Sequence, residues 1–112
     1  MLADLSGVAP ALLADSQRLE ALLRDAAAAA GATILHSHFH AFGPGQGVTG
    51  VVLLAESHIS IHTWPEQQFA AADIFMCGAS QPELALAVIR AALAPMACDI
   101  QTVRRAAQRL AG

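Results

Sequence analysis

The feature that most constrains the fold is a cluster of turn-forming residues, Gly43-Pro44-Gly45-Gln46-Gly47, between two segments of β-strand pattern. Before it, Thr33–Phe42 alternates along its length, and after it, Val48–Glu56 is rich in valine. Glycine and proline at this density favour a reversal of the chain. The pattern therefore predicts a β-hairpin near the middle of the sequence.

Periodicity predicts the remaining elements. Three further strands are expected at His58–Thr63, Phe69–Cys77 and Asp99–Arg105. Two helices are expected, one from a Ser16 cap to Gly31 and one from Ser80 and Pro82 to Pro95. Met1–Leu5 is interpreted as the remnant of an edge strand, which Pro10 closes before any helix begins. The predicted fold class is α+β, an antiparallel sheet with two helices packed on one face in a two-layer sandwich.

Composition limits the size and the partners of this fold. The chain has 112 residues, of which 55% are hydrophobic and 13% charged, and its formal charge is -3. Residues 1–112 therefore form one small domain, and no basic stripe is present to neutralise a nucleic-acid backbone. A domain of this size buries only about 65% of the area that its unfolded chain exposes. Since the sequence is so rich in apolar residues, some of them must remain on the surface of a monomer. We therefore expect the second face of the sheet to pack against another copy of the chain.

Lysine is absent, since all six basic residues are arginines. A cofactor such as pyridoxal phosphate, which needs a lysine, is therefore excluded. Cys77 and Cys98, without a signal peptide or an apolar span of about 20 residues, favour a reduced, cytoplasmic protein with no membrane association.

Histidines are concentrated on the predicted sheet. His36, His38 and His40 alternate along one strand and so share a face, while His58 and His62 lie on a neighbouring strand. Imidazoles are common ligands of zinc, copper and iron, but no nearby Asp or Glu completes a facial triad. We interpret the three alternating histidines as polar residues on a solvent-facing or dimer-facing strand, and we expect no metal.

Ser57 and His62 raise the alternative of a serine hydrolase. Ser57 lies in Glu56-Ser57-His58, without the glycines of a nucleophile elbow. Spacing alone does not make the two residues neighbours, so a hydrolase is only a remote alternative.

A longer pattern is more specific. The stretch Glu56-Ser57-His58-Ile59-Ser60-Ile61-His62-Thr63-Trp64-Pro65-Glu66 resembles the processing segment of the S-adenosylmethionine decarboxylase proenzymes of the short bacterial and archaeal class. The resemblance runs from about residue 31 to residue 78, through Gly31-Ala32-Thr33, Phe39-His40, Gly47–Val52 and Ala71–Gly78.

The resemblance implies a proenzyme that cuts itself between Glu56 and Ser57 into chains 1–56 and 57–112. Ser57 Oγ would attack the Glu56 carbonyl, a base would remove the Ser57 Cα proton, and β-elimination would leave a pyruvoyl group derived from Ser57. His62 matches the family's processing base, as an imidazole suits proton transfer near neutral pH. Thr49 matches a hydroxyl residue that assists the acyl shift.

The implied activity is decarboxylation of S-adenosylmethionine to the aminopropyl donor for spermidine synthesis, in a homodimer of cleaved protomers. The pyruvoyl ketone replaces pyridoxal phosphate as the electron sink. Cys77 matches the family's proton donor, and Glu66 matches a glutamate that binds the substrate ribose across the dimer. Phe42 is assigned to stacking on adenine, with Phe39 left open as the other choice.

Two departures from the family pattern accompany the resemblance. The chain opens at Met1-Leu2-Ala3-Asp4 without the family's Gly-x-His-Leu stretch, which implies a late start or a shortened edge strand. Gln67-Gln68-Phe69 replaces a tyrosine-containing segment. Two alternative functions stay open: a pyruvoyl-dependent arginine or ornithine decarboxylase on the same scaffold, and a non-enzymatic metal-binding module.

Overall fold

The computed structural model describes residues 1–105, which form a six-stranded antiparallel sheet in the order β2-β3-β4-β5-β1-β6. The strands are β1 Leu2–Ser6, β2 Ile34–Ala41, β3 Val48–Leu54, β4 Ser57–Trp64, β5 Phe69–Met76 and β6 Ala97–Gln101. The helices are α1 Pro10–Leu13, α2 Ser16–Ala29 and α3 Pro82–Leu93, and a single 3-10 turn spans Pro65–Gln67. The predicted α+β fold class is confirmed.

Helices α2 and α3 cover one face of the sheet. Each buries one apolar stripe, with the following buried residues: Leu19, Leu23, Ala26 and Ala27 in α2, and Ala85, Leu86, Ile89 and Leu93 in α3. The N-cap of α2 is Asp15, whose carboxylate accepts a hydrogen bond from the Arg18 N–H at 3.1 Å. The cap predicted at Ser16 was therefore wrong by one residue, because Asp15 satisfies the free N–H of the first turn.

Alternation in the central strands separates a covered face from an open one. In β4, Ile59, Ile61 and Thr63 are buried beneath the helices. The intervening residues, including His58 and His62, are directed to the face without helices. That open face carries the side chains on which the site depends.

The first strand is not at an edge. β1 pairs with β5 on one side and with β6 on the other, so the edges of the sheet are β2 and β6. Ala3 and Leu5 of this strand are buried in the core. Pro10 does not prevent a helix either, since it begins α1, where its missing N–H costs nothing.

Strands β2, β4 and β5 differ from the predicted bounds by one residue at one or both ends, and β3 and β6 differ by more. β3 ends at Leu54, because residues 55 and 56 form the turn that leads into β4. β6 covers Ala97–Gln101 instead of Asp99–Arg105, because β1 supplies partners only from Ser6, opposite Ala97, to Leu2, opposite Gln101.

Gly50 allows a close approach between β2 and β3. A Cβ at this position would overlap the ring of Phe39, which packs over the glycine from the neighbouring strand. Phe39 thereby reaches the core beneath the helices, although it belongs to an edge strand. Within residues 1–105, no helix is long and apolar enough to cross a membrane.

Candidate active site

The Glu56–Ser57 junction lies in the turn between β3 and β4. Ser57 has a φ of +136°, a backbone conformation that residues other than glycine rarely adopt. Such a conformation costs about 1–3 kcal/mol and persists only where the surrounding structure enforces it. The backbone is therefore strained at the junction that the sequence predicted as the cleavage point.

Cys77 holds the carbonyl of this junction. The Glu56 carbonyl oxygen accepts one hydrogen bond from the Cys77 backbone N–H at 3.2 Å and another from the Cys77 thiol at 3.1 Å. The Glu56 side chain is fixed separately, because its Oε1 accepts a hydrogen bond from the Thr33 N–H at 2.9 Å. Two donors directed at one carbonyl oxygen polarise it for nucleophilic attack.

His58 contacts the Ser57 hydroxyl. Its Nδ1 lies 3.3 Å from Ser57 Oγ, and its Nε2 lies 3.5 Å from Asp73 Oδ2. Phe75 meets the imidazole edge to face, with ring centroids 5.9 Å apart. No motif in the sequence predicted a catalytic role for His58 or Asp73. The signal that could have found His58 was its position immediately after the candidate nucleophile.

A second cluster forms at the other end of β4. Thr49 Oγ1 lies 3.1 Å from His62 Nδ1 across the β3–β4 pair. Together with Phe42 and Glu66, these two residues line a cavity of about 300 Å³. Trp64 also lines this cavity, although the sequence analysis assigned it no role. All four predicted residues of this set therefore share one site.

The structure keeps the two clusters apart within one chain. His62 follows Ser57 by five residues on the same strand. At about 3.3 Å per residue, their backbones are separated by roughly 16 Å. The Ser57 and Cys77 cluster and the Thr49 and His62 cluster thus each hold half of the predicted catalytic set.

The positions of Phe39 and Phe42 show which of the two can contact a ligand. Phe42 is 58% exposed and lines the cavity with His62, whereas Phe39 packs into the core. Phe42 is also in edge contact with His40, with ring centroids 4.7 Å apart. Of these two phenylalanines, only Phe42 is available to a ligand in that cavity.

His36, His38 and His40 are all exposed on the edge strand β2. Their register partners on β3 are Leu53, Val51 and Thr49. Among residues 1–105, no group of three or more His, Cys, Asp or Glu side chains is arranged to hold a metal ion.

Comparison with known proteins gives the family. The family model described as S-adenosylmethionine decarboxylase matches residues 1–106. The chain belongs to the S-adenosylmethionine decarboxylase family. The resemblance found in the processing segment is thereby confirmed over nearly the whole sequence.

Individual relatives agree with the family model. The chain is 50% identical over 97 residues to the S-adenosylmethionine decarboxylase proenzyme of Parasynechococcus marenigrum, covering 86% of this chain and 75% of the relative. It is 52% identical over 88 residues to the proenzyme of the same name from Methanococcus aeolicus, covering 78% and 74%.

A solved structure carries the same fold. The crystal structure of the adenosylmethionine decarboxylase from Aquifex aeolicus matches with a TM-score of 0.79 and 42% identity, covering 88% of this chain and 81% of that one. The two-layer architecture is therefore shared with a member of the family.

Proposed function

We propose that this chain is a proenzyme that cleaves itself between Glu56 and Ser57 and then decarboxylates S-adenosylmethionine. The observation that carries the proposal is the Glu56 carbonyl, which accepts hydrogen bonds from both the N–H and the thiol of Cys77 beside the strained Ser57. Membership of the family, and the names of the relatives, support the choice of substrate.

Cleavage begins with the Ser57 hydroxyl. Its oxygen attacks the Glu56 carbonyl carbon, and negative charge develops on the carbonyl oxygen that Cys77 already holds. Donors placed in advance at such an oxygen stabilise the tetrahedral intermediate without reorganisation. Collapse to an ester breaks the peptide bond and relieves the strained backbone of Ser57.

Residue 57 is the position at which we propose that the pyruvoyl group forms. When formed there, its ketone supplies an electron sink for decarboxylation, the role that a lysine-bound cofactor plays in other enzymes. Position 57 adjoins Cys77, whose thiol lies 3.1 Å from the Glu56 carbonyl oxygen. From that position, the thiol can deliver a proton to the substrate α-carbon. We propose no metal and no pyridoxal phosphate.

Completion of the site requires a second copy. We propose a homodimer in which the Thr49 and His62 cluster of one protomer meets the Ser57 and Cys77 cluster of its partner. The intrachain separation of roughly 16 Å between Ser57 and His62 supports this arrangement, because His62 does not reach Ser57 of its own chain. Leu53 and Trp64 also leave the open face partly apolar, at 43% and 39% exposed.

His62 has the geometry of a base. When its Nδ1–H donates to Thr49 Oγ1, its Nε2 carries the free lone pair. In the proposed dimer, that nitrogen removes the Cα proton of the partner's ester-linked Ser57. The ester then eliminates and releases the chain that ends at Glu56.

The cavity beside His62 suits a nucleoside. Phe42 and Trp64 offer aromatic faces for adenine, and Glu66 offers a carboxylate that can accept hydrogen bonds from two ribose hydroxyls. We propose that this cavity binds the adenosyl part of the substrate in the dimer. The proposed role of Cys77 requires a reduced thiol, which favours a cytoplasmic enzyme.

Intact-mass analysis of purified protein tests the cleavage. Wild type should consist of chains 1–56 and 57–112, the second lighter than the simple peptide and blocked to amino-terminal sequencing. Ser57→Ala should remain one inactive chain, because a methyl group offers no oxygen for the acyl shift. A wild-type chain that decarboxylates its substrate while remaining intact would contradict the mechanism.

Decarboxylation assays test the substrate. The same preparation is given S-adenosylmethionine, arginine or ornithine, each labelled in its carboxyl group. We expect carbon dioxide from S-adenosylmethionine alone. Faster release from either amino acid would favour the alternative decarboxylase.

A further inference from the structure

We propose that His58 is the base that activates Ser57 for self-cleavage, and that Asp73 orients it. This inference rests on the proposed function and concerns its first step, the attack of Ser57 on Glu56. It separates that step from the later removal of the Ser57 Cα proton, which is assigned to His62. Two proton transfers would then use two different histidines.

Distance supports the pairing of Ser57 with His58. His58 Nδ1 lies 3.3 Å from Ser57 Oγ, within reach of the hydroxyl proton. The backbone of His62 in the same chain lies roughly 16 Å from that of Ser57 along the strand. Among residues 1–105, His58 is the side chain in hydrogen-bonding position to the nucleophile.

Asp73 selects the useful tautomer. His58 Nε2 lies 3.5 Å from Asp73 Oδ2, so a proton on Nε2 faces a carboxylate. That leaves the lone pair on Nδ1, which is the nitrogen turned toward Ser57. The carboxylate also stabilises the imidazolium that forms when Nδ1 takes the serine proton. A nucleophile, an imidazole and a carboxylate thus stand in the order that general-base catalysis requires.

The step balances in atoms and charge. As the Oγ–C bond to the Glu56 carbonyl forms, the Ser57 hydroxyl proton moves to His58 Nδ1. The carbonyl oxygen becomes an oxyanion held by the two Cys77 donors. The C–N bond then breaks, and the proton on His58 passes to the departing Ser57 nitrogen. The products are an ester and a free amine, and His58 returns to its neutral form.

The surroundings hold the imidazole in place. Phe75 of β5 packs edge to face against His58 of β4, and the Arg105 guanidinium carbon lies 4.6 Å from the centre of the Phe75 ring. The His58 side chain keeps 31% of its surface exposed. A partly enclosed ring with a fixed orientation suits proton transfer better than a free surface histidine does.

The first test measures the rate of cleavage in freshly translated chains, which all begin with an intact Glu56–Ser57 bond. His58→Asn keeps a hydrogen-bond acceptor near Ser57 but cannot carry the proton. We expect it to cleave about a hundredfold more slowly than wild type, at the lower end of the usual effect of general-base catalysis. His36→Asn, the same change on an exposed histidine of the open face, should cleave at the wild-type rate. Equal rates for His58→Asn and wild type would overturn the proposal.

The second test identifies the step. In a His62→Ala background the ester should accumulate, and hydroxylamine should cleave it at Glu56, whereas it leaves the amide intact. In His58→Asn with His62→Ala, the hydroxylamine-sensitive form should appear about a hundredfold more slowly. If the hydroxylamine-sensitive form appears at the same rate in both, His58 does not act in ester formation. In that case this inference fails, but the proposed function does not. If wild type never cleaves, the proposed function itself fails.

Rescue experiments exclude a merely structural role. Added imidazole should accelerate cleavage of His58→Gly in proportion to its concentration, because it can enter the space of the missing ring. Asp73→Ala should slow ester formation, and Asp73→Glu should recover part of the rate by restoring a carboxylate. No acceleration by imidazole would overturn the role of His58 as a base. An unchanged rate in Asp73→Ala would overturn the orienting role of Asp73.

Discussion

The Cys77 thiol lies 3.1 Å from the carbonyl oxygen of Glu56, and the Cys77 backbone N–H points to the same atom from 3.2 Å. One residue therefore supplies two donors to the bond that is proposed to break. The backbone donor is independent of the side chain, so substitution at this position removes only half of the arrangement. A side-chain variant can therefore still cleave itself, so the proposed roles of Cys77 in cleavage and in turnover can be measured separately.

Cys77→Ala should still cleave, but about tenfold more slowly, because it loses the thiol, a weak donor whose hydrogen bond to the oxyanion is worth about 1.5 kcal/mol. Decarboxylation by the cleaved variant should fall further, since no thiol remains to protonate the product. Cleavage is followed by intact mass and turnover by carbon dioxide release. Cys77→Ser is the matched control, because its hydroxyl restores a donor and should restore most of the cleavage rate. Equal turnover by cleaved wild type and cleaved Cys77→Ala would remove the assigned role.

Co-expression of Ser57→Ala with His62→Ala tests whether the two clusters combine across a dimer. Each variant alone should be inactive, because every site lacks one half. A mixed dimer contains one complete site, with Ser57 from one chain and His62 from the other. Random mixing should give about a quarter of the wild-type number of complete sites. The measurement is the fraction of cleaved His62→Ala chains, and complete absence of cleavage in the mixture would contradict the shared site.

The resemblance implies a part for Thr49 in the acyl shift, but its contact in the structure is with His62, the proposed base of the later elimination. Thr49→Val should therefore slow cleavage at the ester stage, because His62 loses its 3.1 Å hydrogen-bonding partner. A hydrogen bond of about 1 kcal/mol corresponds to an effect of roughly fivefold. Thr49→Ser retains the hydroxyl and should behave as wild type. The hydroxylamine-sensitive fraction reports the stage, and its absence in Thr49→Val would place Thr49 outside this step.

Phe42→Ala should raise the KM for S-adenosylmethionine by about tenfold, because stacking of a base on an aromatic ring is worth about 1–3 kcal/mol. Self-cleavage should proceed normally, since Phe42 lines the cavity proposed for the adenosyl group and takes no part in the proposed proton transfers. Phe42→Tyr retains the ring and serves as the control. An unchanged KM in Phe42→Ala would move adenine recognition elsewhere.

Gly50→Ala should destabilise the folded protein by about 1–3 kcal/mol, since the added methyl group overlaps the ring of Phe39. Thermal unfolding of the uncleaved Ser57→Ala background measures this effect on a single chain. Adding Phe39→Leu should recover part of the loss by vacating the space above residue 50. If Gly50→Ala unfolds at the same temperature as its parent, the close packing of Phe39 on Gly50 does not contribute to stability.

Sequence periodicity predicted the hairpin around residues 43–47 and the two helices, because each depends on local pattern and turn chemistry. It did not predict the position of β1. A five-residue strand has no local feature that distinguishes an edge from an interior place, and only the long-range partners of Ala3 and Leu5 decide it.

The candidate site was also predictable only in part. The resemblance predicted Ser57, His62 and Cys77 as site residues, but a sequence motif gives no distances. Only the structure shows that Ser57 and His62 lie on one extended strand, which keeps them apart within the chain. His58 directly follows Ser57 in the sequence, but its proposed role rests on contacts with Ser57 Oγ and with Asp73 of the next strand. A linear pattern does not give those contacts.

The order of strands in the sheet gives the proposed cut a further consequence. Chain 1–56 contributes β1, β2 and β3, chain 57–112 contributes β4, β5 and β6, and β1 is inserted between β5 and β6. After the cut, the two pieces remain interlocked through shared strand pairing. A cleaved molecule that unfolds, however, must find its other piece by diffusion, so its recovery depends on concentration, whereas the uncut precursor refolds alone. Efficient folding would thus be confined to the uncut precursor, before the cleavage that gives the enzyme its activity.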